Sequence, residues 1–184
     1  MNLVMAAEAR AQAVDFPYSC DPEVGRLLAT LAAQVPVGGS VLEIGTGVGA
    51  GLAWLVSGLL PRTDVTVTTI ESDRERAALA AQGDWPAFVD LRVGDALELR
   101  GEGFDLIFAD AAGGKHEGLD ATIGMLRPRG VLVVDDMVPQ PGVTWDPEFT
   151  DKQEAVRRRL LTDERLVAVE LAHGSGVIMA TRRP

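Results

Sequence analysis

Five short apolar runs, rich in β-branched residues and separated by longer amphipathic segments, constrain the fold of this chain more than any other feature. Runs this apolar are typical of parallel strands that are buried on both faces of a sheet. One intervening helix is predicted to open at Asp21-Pro22, which places a good N-cap before a proline at the first helical position. The strands are predicted at 40–44, 65–70, 89–93, 104–109 and 130–134. This alternation predicts a doubly wound α/β sheet with right-handed crossovers.

The end of the chain follows a different pattern. Two further strand-like runs, 166–171 and 176–181, are separated by a linker that is too short to contain a crossover helix. These two strands must therefore run antiparallel. The predicted fold is a seven-stranded, mostly parallel, Rossmann-like sheet closed by an antiparallel hairpin. Residues 1–184 are predicted to form a single domain, with 1–20 as an extension before the first predicted helix.

Composition excludes several classes of protein. A chain of 184 residues that is 47% hydrophobic is not intrinsically disordered, and the single cysteine, Cys20, cannot form a disulfide scaffold. The longest apolar stretch, 50–60, is far shorter than the ~20 residues of a membrane span. Glu8 and Arg10 interrupt any signal-like run near the N-terminus. We therefore expect a soluble, cytoplasmic protein without a membrane partner.

The charge balance narrows the choice of partner. The chain has 27 acidic and 17 basic residues, a formal net charge of −10, and its lysines are Lys115 and Lys152 alone. Phosphate binding requires clustered Lys and Arg, so nucleic acid is not expected as a partner. A small-molecule substrate is the expectation.

A glycine-rich turn follows the first predicted strand, with glycines at 45, 47, 49 and 51. Glycine lets the backbone turn sharply and approach a ligand closely, and the next helix offers free N–H groups. For Gly51, packing of the helix against the sheet explains the residue equally well. An acid, Glu43, lies two residues before the turn, where it would repel a pyrophosphate but suit a cationic ligand.

Two later strand ends also carry candidate binding residues. Glu71 ends the second strand, where a carboxylate can accept both hydroxyls of a ribose or simply be solvated. Ser72 follows as the predicted helix cap, because Ser72 and Glu75 have the spacing of a capping box. Asp95, in the turn after the third strand, is placed to hydrogen-bond an adenine edge, although Gly-Asp is also an ordinary turn.

The glycine turn with Glu43 before it is followed along the chain by Glu71, the turn at 94–96 and the terminal hairpin. This order of features resembles the class I S-adenosylmethionine-dependent methyltransferases. Within that family the chain is most similar to the small O-methyltransferases of the catechol and caffeoyl-CoA type. The matching stretches are 22–25, 41–51, 104–110 and 130–136.

The resemblance implies an enzyme that moves a methyl group from S-adenosylmethionine to a small-molecule acceptor, with a hydroxyl oxygen as the expected acceptor atom. It implies that Glu43 and Asp110 lie near the cationic methionine portion of the cofactor, and that Asp95 and Ala96 lie beside its adenine. The remaining implied cofactor contacts are Gly45, Thr46, Gly47, Gly49, Gly51, Glu71 and Ser72.

The resemblance also implies Mg²⁺ or another divalent cation, bound by Asp110, Asp135 and Asp136. Carboxylate oxygens suit such an ion, which would acidify an acceptor hydroxyl beside the sulfonium methyl. Asp136 stands where the family usually has asparagine, which adds negative charge and bears on the choice of metal.

Asp110 and Lys115 are the predicted catalytic residues. The family's catalytic lysine lies three residues after the first aspartate, but this chain has Gly113 there. The glycine pair 113–114 would have to loop out for Lys115 to reach the site. The alternative is that Lys115 is an exposed loop cation, and His116 is expected to cap the next helix or face solvent.

Three other functions stay open from the sequence. Paired acids would also bind the ammonium groups of a polyamine in an aminopropyltransferase-like enzyme. An NAD-dependent oxidoreductase would use Gly45, Gly47 and Ala50 under a pyrophosphate, and a binding module would hold the cofactor without catalysis. The sequence also leaves open whether a homodimer partner or the segment 137–149, with Trp145, closes the acceptor pocket.

Overall fold

The computed structural model describes residues 2–139 and 142–184 as seven strands and seven α-helices. The strands are β1 (Ser40–Ile44), β2 (Thr66–Glu71), β3 (Val89–Val93), β4 (Phe104–Ala109), β5 (Leu126–Val134), β6 (Leu166–Leu171) and β7 (Val177–Arg182). The helices are α1 (Leu3–Ala13), α2 (Pro22–Ala33), α3 (Ala50–Leu59), α4 (Arg74–Ala80), α5 (Ala112–Lys115), α6 (Leu119–Met125) and α7 (Pro147–Thr162), and a 3₁₀ turn spans Ala96–Glu98.

The strands form one sheet in the order β3-β2-β1-β4-β5-β7-β6. Strands β1 to β5 pair in parallel, whereas β7 runs antiparallel to both β5 and β6. The predicted fold class is therefore confirmed. The last strand of the chain does not lie at the edge of the sheet, because β7 inserts between β5 and β6.

Alternate residues of the central strands enter two separate cores. In β1, Val41 packs in a core with α2 and α3, whereas Leu42 and Ile44 pack with α6 and α7. Burial on both faces explains why the strands read as continuous apolar runs. Each fully buried leucine side chain contributes about 2 kcal/mol of transfer free energy.

The register brings the carboxyl ends of the parallel strands to one edge. Ile44 of β1 lies opposite Ile70 of β2 and Ala109 of β4, and Ala109 lies opposite Val134 of β5. The acids that end or follow these strands therefore meet at the same edge.

The N-terminal extension holds a helix that the sequence interpretation missed. Helix α1 begins at Leu3, with Asn2 as its cap, and packs Val4 and Ala7 against Ala53 of α3. The first helix thus precedes the one predicted at Asp21-Pro22, which is confirmed as α2 with Asp21 as its cap. Alanines distributed around α1 give no helical periodicity, so only packing against α3 reveals its inner face.

The predicted cap at Ser72 is wrong by one residue. Asp73 caps α4, because its carboxylate accepts hydrogen bonds from the backbone N–H groups of Glu75 and Arg76. In the described ranges, the helices are all too short or too polar to cross a bilayer.

Arg10 links α1 to the glycine turn. Its Nε donates a hydrogen bond to the carbonyl of Val48 at 2.8 Å, and its guanidinium lies 5.8 Å from the ring centroid of Trp85. The indole of Trp85 is in turn held by the carbonyl of Ala80 at 2.8 Å. Arg10 therefore joins three segments that are distant in the sequence.

We expect the substitution Arg10→Met to lower the free energy of unfolding by about 1–2 kcal/mol, because it removes one hydrogen bond and one cation–π contact while keeping the apolar stem. Urea unfolding measures the change. Arg26→Met, on the exposed side of α2, is the control and should leave stability within about 0.5 kcal/mol. Equal stability of both variants would show that Arg10 does not anchor α1.

Candidate active site

A cavity of about 400 Å³ opens at the carboxyl edge of the sheet. Its walls come from the glycine turn, the ends of β2, β4 and β5, the tip of the β6–β7 hairpin, and the segment 14–21 that joins α1 to α2, which we call the strap. Its described lining residues include Phe16, Cys20, Asp21, Glu43, Gly45, Thr46, Gly47, Gly51, Glu71, Ser72, Arg76, Asp110, Asp135, Asp136 and Ser175.

The glycine turn adopts backbone conformations that suit glycine. Gly45, Gly47 and Gly49 have φ angles of 99°, 54° and 95°. The N–H of Gly45 donates to the carbonyl of Ile70 at 3.0 Å, which fixes the turn against β2. Gly45, Thr46, Gly47 and Gly51 line the cavity, whereas Gly49 caps α3 and faces Arg10. Gly49, predicted as a cofactor contact, therefore shapes the turn and does not belong to the described cavity lining.

Glu43 is fully buried at the floor of the cavity. Its Oε2 accepts a hydrogen bond from Thr69 Oγ1 at 2.5 Å, and Thr69 Oγ1 lies 2.5 Å from Thr46 Oγ1. Its Oε1 is buried without a hydrogen-bond partner among the described residues. Burial, together with the charge of Glu71, raises the pKa of Glu43 to about 8.

Gly51 leaves the space that the Glu43 carboxylate occupies. A Cβ at this position would lie 2.5 Å from Glu43 Oε1 and 3.0 Å from the ring of Phe108. Because Gly51 has no side chain, α3 packs closely on the sheet and the cavity stays open above Glu43. Both explanations that the sequence left open for Gly51 therefore apply.

Glu71 ties the glycine turn to the start of α4. Its Oε2 accepts from the N–H of Gly47 at 2.8 Å, and its Oε1 accepts from the N–H of Asp73 at 2.9 Å. Oε1 also accepts a long hydrogen bond from Ser72 Oγ at 3.5 Å, whereas Oε2 keeps a further lone pair for a ligand hydroxyl. Ser72 is exposed at the cavity rim beside it.

Asp95 and Ala96 lie beside the cavity and outside its described lining. Asp95 caps the 3₁₀ turn by accepting a hydrogen bond from the N–H of Leu97 at 2.9 Å. Both residues adjoin Gly113, where a Cβ would lie 3.7 Å from Ala96 Cβ and 3.8 Å from Asp95 Oδ1. Asp95 and Ala96 therefore lie next to the cavity, on the side where β2 and β3 end.

Asp110, Asp135 and Asp136 form an acid cluster at the ends of β4 and β5. Burial and the charges of the two other aspartates raise the pKa of Asp110 well above its usual range, and burial raises the pKa of Asp135 to about 6. Asp135 Oδ1 accepts hydrogen bonds from Ser175 Oγ and, at 2.7 Å, from the N–H of Asp136.

The described residues show no formed metal site at this cluster. Across 2–139 and 142–184, no three His, Cys, Asp or Glu side chains are arranged to hold a metal ion. One oxygen of Asp135 is taken by two internal donors, and Asp136 follows with a left-handed φ of 57°. The three aspartates predicted as ligands are brought together as an acid cluster, in which the carboxylate of Asp135 accepts the two hydrogen bonds described.

The side chain of Lys115 contacts the backbone of the acid cluster at Asp135. The backbone departs from helical geometry at Gly113, with ψ of 127°, and at Gly114, with φ of 88°. The side chain of Lys115 is therefore turned inward, only 4% exposed, and its Nζ donates to the carbonyl of Asp135 at 3.1 Å. Lys115 is not an exposed loop cation, although it does not belong to the described cavity lining.

His116 and Trp145 lie outside the cavity wall. His116 Nε2 lies 3.0 Å from Gln153 Oε1, and its ring packs edge-to-face on Phe149, which packs in the same way on Trp145. Burial lowers the pKa of His116. In the predicted closing segment 137–149, residues 140 and 141 lie outside the described residues, and Pro147 already begins α7.

The strap and the hairpin tip supply site residues that the sequence interpretation missed. Phe16 lies against Gly47, where a Cβ would be 3.1 Å from its ring, and the guanidinium of Arg76 lies 5.6 Å from the centroid of that ring. Ser175 reaches Asp135 from the far end of the chain. These contacts join segments 30 to 60 residues apart, and no sequence motif signals them.

The cavity is strongly acidic. Six carboxyl side chains line it, against one basic side chain, Arg76, among the described lining residues. The carboxyl residues are Asp21, Glu43, Glu71, Asp110, Asp135 and Asp136. Such a surface favours a cationic ligand and opposes a pyrophosphate.

Residues 42–137 match the family model described as "Methyltransferase domain". A relative from Mycolicibacterium vanbaalenii, named "Putative O-methyltransferase", is 34% identical over 193 residues, which cover 97% of this chain and 84% of the relative. The chain belongs to the methyltransferase family. The predicted resemblance and the prediction of an enzyme of this class are thereby confirmed.

Solved structures agree with this membership. One is the O-methyltransferase TomG from Streptomyces achromogenes, which is involved in tomaymycin synthesis and was solved in complex with SAM. TomG is 27% identical to this chain with a TM-score of 0.78, and the match covers 100% of this chain and 91% of TomG. The O-methyltransferase from Bacillus cereus, solved in complex with SAH, is 23% identical with a TM-score of 0.81 and the same two coverages. The latter likeness supports the fold.

We expect proton release when S-adenosylmethionine binds at pH 7. Glu43, with its pKa near 8, is mostly protonated there, and a cationic ligand favours the ionised form and so lowers that pKa. Affinity should therefore rise from pH 6 to 8 and level off above it. Calorimetry in two buffers of different ionisation enthalpy measures the released protons.

The variant Glu43→Gln should release fewer protons and show a weaker pH dependence, with the residual dependence coming from Asp110. Glu75→Gln, exposed on the first turn of α4, is the control and should match the parent protein. An unchanged proton release in Glu43→Gln would show that Glu43 does not sense the bound cation.

Proposed function

We propose that this methyltransferase binds S-adenosylmethionine in the acidic cavity and transfers its methyl group to a hydroxyl oxygen of a small-molecule acceptor. The observation that carries the proposal is Glu43, a fully buried carboxyl group at the cavity whose Oε1 has no hydrogen-bond partner among the described residues. Burying an acid whose second oxygen is unpaired is costly unless a ligand compensates it, and a cation is the ligand that favours its ionised form.

The charges of the cofactor support this choice over the alternatives. S-adenosylmethionine carries a sulfonium and an ammonium group, which suit the six lining acids. A dinucleotide would bring two phosphate charges over Glu43 and Glu71, so the oxidoreductase alternative is disfavoured. Relatives named as O-methyltransferases, and TomG with its bound SAM, support the same cofactor.

The glycine turn and Glu71 are the proposed holders of the nucleoside. Each oxygen of Glu71 accepts one backbone N–H, and Oε1 also accepts a long hydrogen bond from Ser72 Oγ at 3.5 Å, which a ribose hydroxyl would replace when the diol binds. Phe16 packs directly on the turn at Gly47 from the strap side, so it would border the bound cofactor. The methionine portion would then extend toward Glu43 and Asp110.

The transfer itself follows from this placement. The acceptor oxygen attacks the methyl carbon in line with the carbon–sulfur bond, whose electron pair passes to sulfur and leaves a neutral thioether. The hydroxyl proton passes to Asp110, which lines the cavity and must be in its ionised form to accept it. Burial and its acidic neighbours raise the pKa of Asp110, which makes its carboxylate a stronger base than an ordinary aspartate. Lys115 positions this carboxylate cluster from behind.

No step of this proposal passes through a metal ion. The divalent cation implied by the resemblance would be held by Asp110, Asp136 and the second oxygen of Asp135, because Asp135 Oδ1 already accepts two internal hydrogen bonds. Such an ion would acidify an acceptor hydroxyl. The strap, with Phe16, Tyr18 and Cys20, is the proposed cover of the acceptor side. A homodimer stays a prediction.

Glu71→Gln should weaken binding of S-adenosylhomocysteine by about 10- to 100-fold, because the amide replaces one of the oxygens that accept charge-assisted hydrogen bonds. Calorimetry measures the change, and the exposed Glu75→Gln is the matched control. An affinity within twofold of the parent protein would contradict the proposed role of Glu71.

The decisive test titrates S-adenosylmethionine, S-adenosylhomocysteine and NADH separately into the protein. Binding of both sulfur ligands without NADH binding supports the proposal, and a methyl-transfer assay with catechol-like diols then tests the acceptor class. Failure of both sulfur ligands to bind would overturn the cofactor assignment. Binding without transfer to any hydroxyl acceptor would overturn the acceptor assignment alone.

A further inference from the structure

A buried threonine lies beside Glu43 in the sheet. The parallel register places Thr69 of β2 directly opposite Glu43 of β1, and the side chain of Thr69 is fully buried. Phe108 of β4 lies on the other side of Glu43, and Leu91 of β3 lies on the other side of Thr69. Glu43 and Thr69 are therefore a polar pair between apolar neighbours.

The hydroxyl group of Thr69 has a specific use in this core. A valine would fill the same volume without burying a hydroxyl, and Val67, two residues earlier on the same face of β2, is a valine. Burying a hydroxyl group costs free energy unless it forms hydrogen bonds. Thr69 Oγ1 donates to Glu43 Oε2 at 2.5 Å and lies 2.5 Å from Thr46 Oγ1.

The chemistry of a hydroxyl group determines the direction of this hydrogen-bond chain. Each hydroxyl has one hydrogen to donate. Because Thr69 donates its hydrogen to Glu43, the hydrogen between the two threonines must come from Thr46. The chain therefore runs from Thr46, in the glycine turn, through Thr69 to Glu43.

Both ends of the chain are held in place at the cavity. The carbonyl of Thr46 accepts from the N–H of Gly49 at 2.8 Å, which closes the glycine turn. At the other end, Glu43 Oε1 lies 2.5 Å from where a Cβ of Gly51 would be, and Gly51 lines the cavity. Because Thr69 binds Oε2, the oxygen without a described partner is the one next to the cavity wall.

The titratable groups around Glu43 make the hydrogen bond from Thr69 important. Those near it in the described residues are Glu71 at the end of β2, Asp110 after β4 and Cys20 of the strap, and none is basic. Helix α3, which packs above Glu43, contains no titratable side chain. Burial and the charge of Glu71 raise the pKa of Glu43, whereas the hydrogen bond from Thr69 lowers it.

We propose that Thr69 is a positioning residue of the cofactor site: it accepts the hydrogen of Thr46, donates its own to Glu43, and so stabilises the ionised carboxylate with its second oxygen at the cavity wall. The inference rests on the proposed function only for the identity of the cation that Glu43 meets. Thr69 acts through Glu43, because it does not belong to the described cavity lining.

The first test measures Glu43 itself, in the protein without any ligand. The carbon-13 signal of its carboxyl group, assigned by its loss in Glu43→Gln, is followed by nuclear magnetic resonance as the pH is changed. Thr69→Val keeps the volume of the side chain and removes the hydroxyl, so the midpoint should rise by about one pH unit. Thr69→Ser keeps the hydroxyl and should restore the midpoint of the parent protein.

Thr68→Val is the matched control for this test. Thr68 is half-buried on the opposite face of the same strand, so the same substitution there should leave the midpoint of Glu43 unchanged. If Thr69→Val does not fold, Thr69→Ala, which also lacks the hydroxyl, takes its place. Circular dichroism and thermal unfolding check each variant.

The second test measures binding of S-adenosylmethionine by calorimetry. Thr69→Val should bind about tenfold more weakly at pH 7, because a smaller fraction of Glu43 is ionised there. The loss should shrink at alkaline pH, where Glu43 ionises in both proteins. In a Glu43→Gln background, Thr69→Val should cause no further pH-dependent loss.

Three outcomes would overturn the inference. The first is an unchanged midpoint in folded Thr69→Val, and the second is a midpoint that Thr69→Ser does not restore. The third is an equal, pH-independent loss of affinity with and without Glu43, since Thr69 would then act only on the fold. A parent protein that shows the expected midpoints but binds no S-adenosylmethionine would contradict the proposed function and leave the role of Thr69 in place.

Discussion

Mutual repulsion among carboxylates at one edge of a parallel sheet is the constraint on which the rest of this structure depends. Parallel pairing brings the ends of β1, β2, β4 and β5 together, and each end carries or precedes an acid. Water cannot screen these charges fully, because Glu43 and Asp135 are buried. The site is stable only where protons, hydrogen-bond donors or cations compensate them.

The acids are compensated differently at the glycine turn and at the ends of β4 and β5. Near the glycine turn, backbone N–H groups donate to Glu71 and a threonine hydroxyl donates to Glu43. Glu43 Oε1 is buried without a hydrogen-bond partner among the described residues. Near the ends of β4 and β5, Ser175 Oγ donates to the carboxylate of Asp135, and the buried ammonium of Lys115 donates to the backbone carbonyl of the same residue. Under the proposed function, a cationic cofactor would compensate Glu43 on the first side, and the methyl acceptor would lie beside the aspartates on the second side.

The sequence alone determined the sheet, the glycine turn and the position of the acids, because these depend on local patterns. A run of β-branched residues reports burial on both faces, Asp21-Pro22 reports a helix start, and a four-residue linker forces an antiparallel pair. The resemblance of these motifs to known methyltransferases then indicated the family. Helix α1 was not predicted, because its alanines carry no periodic signal. The prediction of Ser72 as the cap of α4 is wrong because the next residue, Asp73, is an equally good cap and is the one that the structure uses.

Only the tertiary structure decided what surrounds those acids. The insertion of β7 between β5 and β6 carries Ser175 to Asp135, and the strap carries Phe16 to Gly47. Lys115 shows the distinction most clearly, since its sequence spacing is wrong for the family while its side chain still reaches the cluster. The physical reason is that hydrogen bonding and burial depend on contacts between distant segments, and a local pattern contains no information about which segments meet.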